Sequence, residues 1–201
     1  MESGGVARRL AEFARVRLGG RPVPEDLRTV LTETWEGRPG LVEQLGVRIL
    51  EPGTTHVLMD HSYLSAADRA NPDLMANVAA MTETAEYLRF VVELAQDFLL
   101  GYWFHPAEPA DRPAPIVLLD TEGTYEPMPG ATLTEAVVSY WAGRDDGTYA
   151  DYRAELAALG LSLSPRSLAD LTEPTLALHP EAYQDARYAE AIARLRSGPT
   201  G

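Results

Sequence analysis

Leu88-Arg89-Phe90-Val91-Val92-Glu93-Leu94-Ala95-Gln96-Asp97-Phe98-Leu99-Leu100-Gly101-Tyr102-Trp103-Phe104 sets two runs of β-forming residues on either side of a polar pair. Valine, leucine and the aromatics suit a pleated, packed backbone, and Gln96-Asp97 has turn chemistry, so the stretch predicts a hairpin. A third run, Ile116 to Leu119, follows a loop dense in proline, acid and arginine from Pro106 to Pro115. That loop is long for a hairpin and is expected at the surface. Asp120-Thr121-Glu122-Gly123 closes the third strand, because aspartate bonds nearby amides and glycine takes positive φ. Tyr125 to Met128 then reads as a short edge strand that pairs back.

Helical periodicity surrounds this centre. Val6, Leu10, Phe13 and Arg17 recur at helical spacing in an opening amphipathic, locally basic helix that Gly19-Gly20 ends. Leu27, Val30, Leu31 and Trp35 mark a second helix, with Glu25 and Asp26 in its first turn, where carboxylates favour the helix dipole. A short helix around Leu41 to Leu45 and a short strand from Val47 to Leu50 follow, while His56 to Leu64 fits either a strand or a helix start. Pro72 to Glu86 predicts a helix with Leu74, Val78, Met81 and Ala85 on its buried face. Thr132 and Glu135 have capping-box spacing ahead of a helix that buries Leu133, Ala136, Val137 and Tyr140. Beyond Gly143 the pattern predicts helices over Tyr149 to Leu159 and Pro180 to Leu195, with a short turn at Ser167 to Leu171. The division expected is a core over residues 1–143 and a helical extension over 144–201 packed upon it.

Composition narrows the function. At 201 residues the chain exceeds one common domain of about 100–150 residues without requiring two. It has no cysteine, which excludes disulfides, thiolate nucleophiles and cysteine-based metal sites. No apolar run has the length of a membrane span or a signal h-region, so a cytoplasmic location with no membrane partner is expected. The formal charge is −13, with 17 cationic side chains, all arginine, against 30 acidic ones. Such a field repels nucleic acid and attracts basic proteins; the alternative is that the acidity serves only solubility.

The candidate chemistry is sparse. His56, Asp60 and His61 form the one compact group of metal-ligand type, but their spacing fits neither one strand face nor a zinc helix, so no metal and no cofactor are expected. His105 and His179 read as surface residues. Ser62, Ser65, Ser139 and Ser164 lack the tight glycine turn of a nucleophilic serine, and no phosphate-cradling glycine loop is present. Asp120, Glu122 and Glu126 offer carboxylates near a strand end. On one strand face Asp120 and Glu122 would couple if buried; as a turn they form only a solvated acidic face. Tyr102 and Trp103 alternate across their strand, so a sheet covered on one face leaves a large ring near the surface, as an interface anchor; burial under the terminal helices is the alternative.

Taken in order, Leu88-Arg89-Phe90-Val91-Val92-Glu93, Leu100-Gly101-Tyr102-Trp103, Ala114-Pro115-Ile116-Val117-Leu118-Leu119-Asp120-Thr121-Glu122-Gly123, Gly130 and Leu133-Thr134-Glu135-Ala136 resemble the SUKH superfamily over residues 24–142. Where that family has an asparagine-glycine-glycine turn, this chain has Glu36-Gly37-Arg38-Pro39-Gly40. The resemblance implies an α+β fold, a mainly antiparallel curved sheet flanked by helices, and no enzymatic activity. Bacterial members are immunity proteins that neutralise toxins, often nucleases.

The leading expectation is therefore a non-enzymatic immunity or regulatory adaptor that occludes a basic protein partner such as a nuclease toxin. Tyr102, Trp103, Asp120, Glu122 and Glu126 are its partner-binding candidates. Two alternatives stand beside it. A hydrolase or isomerase would gather those carboxylates with His61 or His105 in one pocket. A small-molecule-binding scaffold would carry a preformed apolar cavity.

Overall fold

The computed structural model describes residues 3–55 and 60–197. In chain order these form α1 (Ser3–Arg17), α2 (Glu25–Trp35), α3 (Gly40–Leu45), β1 (Val47–Ile49), α4 (Ala66–Ala70), α5 (Pro72–Tyr87), β2 (Leu88–Leu94), β3 (Leu99–Trp103), β4 (Ile116–Leu119), β5 (Tyr125–Met128), α6 (Leu133–Ala142), α7 (Asp146–Ala158) and α8 (Pro180–Ser197). The strands make one five-stranded open sheet in sequence order, and every pairing is antiparallel. The α+β class expected from the strand runs is the one observed.

The predicted hairpin forms around a 3₁₀ turn at Ala95–Asp97, where Asp97 takes φ 62°. Aspartate tolerates that left-handed conformation better than most side chains. Opposite Gly101 the register of β2 slips between Phe90 and Val92. Two consecutive residues, Val91 and Val92, consequently enter the same core, and a bulge of this kind increases the local twist.

Both faces of the sheet are covered. On one, Leu100, Tyr102, Ile116, Leu118 and Met128 pack with Phe13, Leu27, Leu31, Leu45 and Val137 from the helices before and after the sheet. On the other, Leu88, Phe90, Leu99, Trp103, Val117, Leu119 and Tyr125 pack with Tyr87, Leu176 and Tyr183. Strands buried on two sides read as continuous apolar runs, as Ile116-Val117-Leu118-Leu119 does.

The segment after Gly143 contributes to both cores: Tyr149, Leu156, Leu161, Leu163 and Leu171 to the first, Leu176 and Tyr183 to the second. α8 lies along α5. This contact changes the buried stripe of α5, which is Ala76, Ala80 and Thr84 and not the expected Leu74, Val78, Met81 and Ala85. Small side chains let the two helix axes approach, and the larger residues are left partly exposed at the margins. No described helix is long and apolar enough to cross a membrane.

Candidate functional site

The sheet's double cover decides where the predicted residues lie. Tyr102 is 4% exposed and Trp103 0%, so neither ring reaches the surface, contrary to the expectation for a sheet covered on one face. The Trp103 indole donates from Nε1 to the Leu178 carbonyl at 2.9 Å, stacks on His105 at 5.4 Å and meets the edges of Tyr87 and Tyr183. His105 is thus half-buried, not a surface residue. Its Nδ1 accepts the Ala107 amide at 3.1 Å, and burial holds its pKa below the usual value. His179 is also half-buried, with Nδ1 accepting the Glu181 amide at the start of α8.

Among the carboxylates, β4 stops at Leu119, and Asp120 therefore belongs to a turn. Its Oδ1 accepts the amides of Glu122 at 2.9 Å and Thr124 at 2.8 Å. The shared strand face for Asp120 and Glu122 does not form, while the turn reading does. Glu122 and Glu126 are exposed, and Glu126 stands on edge strand β5 opposite Leu118. Burial, and secondarily the Glu126 charge, raise the pKa of nearby Tyr140.

His61 lies elsewhere, with Nε2 within 3.5 Å of the Thr82 hydroxyl on α5. Among the described residues no hydrogen bond joins His61 or His105 to Asp120, Glu122 or Glu126. Nor does any described group of three or more His, Asp or Glu residues have an arrangement that would hold a metal, and His56 falls outside the described residues.

A hollow of about 350 Å³ opens instead beside the far end of β3, where the chain brings two helix N-termini together. Pro22, Pro24, Glu25 and Asp26 come from the start of α2, Ala131 and Thr132 from the approach to α6, Tyr102 and Phe104 from β3 and its exit, and Pro113 and Ala114 from the proline-rich loop. Asp26 bridges the helices: its Oδ2 accepts the Thr134 amide at 3.0 Å and hydroxyl at 3.2 Å. The predicted cap is present in modified form. Thr132 Oγ1 accepts the Glu135 amide at 3.2 Å, while the buried Glu135 carboxylate takes the Ala131 amide at 2.8 Å. Gly130, at φ 118°, makes the preceding turn and donates its amide to Thr172.

Inside the hollow, the Tyr102 ring stacks on Phe104 at 5.8 Å with 23° between planes, and the Arg21 guanidinium sits 4.2 Å from the Phe104 centroid. The Tyr102 hydroxyl is buried and has no hydrogen-bond partner among the described residues. Burial, reinforced by the Asp26 charge, pushes its pKa well up and keeps it a neutral phenol. The sequence carried a trace of this site in Pro22-Val23-Pro24-Glu25-Asp26, but the partner of Asp26 is 108 residues away. Local pattern does not reveal such a pairing.

Fold and geometry define a mixed α+β protein with a covered antiparallel sheet and an aromatic hollow bordered by Arg21, Glu25 and Asp26. No family model, curated protein or solved structure matches the chain.

Proposed function

We propose that this protein works by binding, as an immunity or regulatory adaptor of SUKH type whose acidic surface engages a basic protein partner. The observation that carries the reading is the surplus of acids at the surface, with a net charge of −13. Arg9, Arg28, Arg38, Arg48, Arg187 and Arg194 are engaged with carboxylates of the chain itself. Glu86, Asp111, Glu122, Glu126, Asp151 and Glu173 are exposed without an ion pair among the described residues. Each pair cancels one cation with one acid, so the net of −13 stands, and Arg8, Arg15, Arg112, Arg144 and Arg196 are likewise exposed without an ion pair among the described residues; the surplus of acids sets the sign of the outward field. An anionic surface of this kind accelerates encounter with a cationic one and repels phosphate backbones.

Glu122 and Glu126, beside the sheet edge, are the proposed steering contacts, and Asp120 holds the turn that presents Glu122. Trp103 is assigned to the core. The test is capture of partners on the immobilised chain at about 0.05 M and about 0.5 M salt, where the screening length falls severalfold. It is followed by association kinetics of the captured basic protein with wild type and with Glu122→Lys/Glu126→Lys. A salt-sensitive association rate that drops in the charge-reversed variant is expected. Equal rates for both, at either salt, remove these residues from the interface.

A further inference from the structure

The end of α1 gathers charge of the sign opposite to the molecule as a whole. A hollow of about 150 Å³ opens where α1 ends beside the junction of α5 with β2. Val16, Leu88 and Phe90 give it apolar walls, Arg17 and Arg89 are its charged members, and no described acid lines it. A cleft with charges of one sign between apolar walls concentrates the field and draws in counter-ions. Gly19 brings a third cation close. A methyl group built on that glycine would lie 3.3 Å from Arg21 Nη1 and 3.6 Å from both Nε and Nη2 of Arg89. Two guanidiniums thus approach one point at the α1 terminus, and like charges so placed repel unless an anion offsets them.

Helix C-termini attract cations through their free carbonyls, and that would account for the three arginines if each bonded such a group. Arg17 instead donates from Nε and Nη2 to the Glu51 and Thr54 carbonyls, outside α1, while the Glu51 carboxylate is taken by Arg9 and the Trp35 indole. Arg21 makes one long hydrogen bond of 3.4 Å to the Leu18 carbonyl. Arg89 is half-buried and has neither a hydrogen bond nor an ion pair among the described residues; its Nε is sealed without an acceptor. An acceptor for Arg89 must therefore come to its terminal nitrogens.

We propose that this hollow binds a phosphate group, held by the terminal nitrogens of Arg89 and the free Nη1 of Arg17, with Arg21 as an outer cation. Guanidinium forks match phosphate oxygens in pairs. A phosphate monoester carries about −1.5 to −2 charges near neutral pH, against one for a carboxylate, and so offsets two guanidiniums more fully. The hollow is well below the roughly 300–1,000 Å³ of sites for drug-sized ligands, so the group read is the phosphate itself and not a larger molecule around it. The site stands apart from the acidic surface and from any basic partner.

The experiment is titration of the full chain with inorganic phosphate, with N-acetyl-O-phosphoserine methylamide and with acetate, at constant ionic strength held by sodium chloride, followed through the NMR signals of the arginine Nε–H groups. Inorganic phosphate is expected to shift Arg89 and Arg17 saturably and acetate to bind severalfold more weakly. Phosphoserine binding as tightly as phosphate identifies a phosphomonoester as the source, and phosphate binding with phosphoserine excluded identifies the free ion. Arg89→Gln is expected to weaken phosphate about ten-fold or more, the scale of a lost charge-assisted hydrogen bond. Arg21→Gln, at an exposed position, is expected to weaken it about two- to three-fold, and Arg8→Gln, elsewhere on α1, to leave it unchanged. Shifts no larger than those from sodium chloride, acetate binding as tightly as phosphate, undiminished binding in Arg89→Gln, or equal losses in Arg8→Gln and Arg21→Gln would each overturn the assignment. The comparison of phosphate with acetate uses the unaltered chain, and Arg21→Gln removes an exposed group, so the test survives a failure of the Arg89 variant to fold.

Discussion

Replacing Gly101 with alanine tests the description of the sheet directly, because the added atom meets backbone and no side-chain rotation can make room for it. A methyl group built at Gly101 would stand 2.6 Å from the Arg89 carbonyl carbon and from Phe90 Cα, and closer still to the Arg89 oxygen. These atoms belong to β2 at the point where its register slips. Relief therefore requires β2 and β3 to part at the bulge, in the centre of the sheet. Overpacking a core typically costs about 1–3 kcal/mol, and a contact that only strand separation relieves belongs at about 3 kcal/mol or above. Against a total stability of about 5–15 kcal/mol that is a large fraction. For a chain of this size each kcal/mol lowers Tm by about 2–4 °C, so a fall of about 6–12 °C is expected.

The companion substitution is Gly5→Ala, on α1, where nothing among the described residues, apart from the helix's own neighbouring backbone, lies within 4 Å of the added methyl. It is expected to be neutral or stabilising by up to about 1 kcal/mol, because alanine restricts the unfolded chain and favours helix. Thermal unfolding followed by far-UV circular dichroism, with urea unfolding as a second measure, separates the two. A Gly101→Ala protein whose Tm lies within about 2 °C of wild type would refute the close β2–β3 approach at the bulge.

Three further outcomes follow from the same packing. Thr132→Ala removes the acceptor for the Glu135 amide at the start of α6 and is expected to lower stability by about 1 kcal/mol in urea unfolding, with Thr132→Ser restoring most of it. Trp103→Phe deletes the donor to the Leu178 carbonyl, leaving that carbonyl without this bond under the tail, and is expected to lower stability by about 1–3 kcal/mol in the same assay. For His105 the sign follows from its depressed pKa: below about 6.5 the unfolded chain takes up a proton that the folded chain resists, so stability falls as pH drops from there toward the folded value. Urea midpoints measured from about pH 7.5 to pH 5 should show this slope, and His105→Gln should flatten it; an unchanged slope would show that His105 is not its source.

Local chemistry made much of the fold readable. The hairpin was legible because Gln96-Asp97 interrupts two β-forming runs, and the start of α6 because Thr132 and Glu135 stand three apart before an apolar helix. Asp120 was legible as a turn residue for the same reason: its acceptors and donors lie within four residues. Each of these features is decided by neighbours in the chain, and residue type reports them directly.

The stripe of α5, the burial of Trp103 and the hollow at Tyr102 were not legible in this way. Ala76, Ala80 and Thr84 became the buried face because α8 returns more than ninety residues later to lie against them, and Trp103 was buried because the segment around Leu178 does the same. Asp26 looked like an ordinary first-turn acid of α2, and only the meeting of α2 with α6 made it a bridge between the two helices. Propensity and periodicity arise within a helical turn or a strand pair, so the sequence alone determined the elements. Which faces are covered, and where a hollow remains, depends on distant segments competing for the same apolar surface, and that was settled only by the tertiary structure.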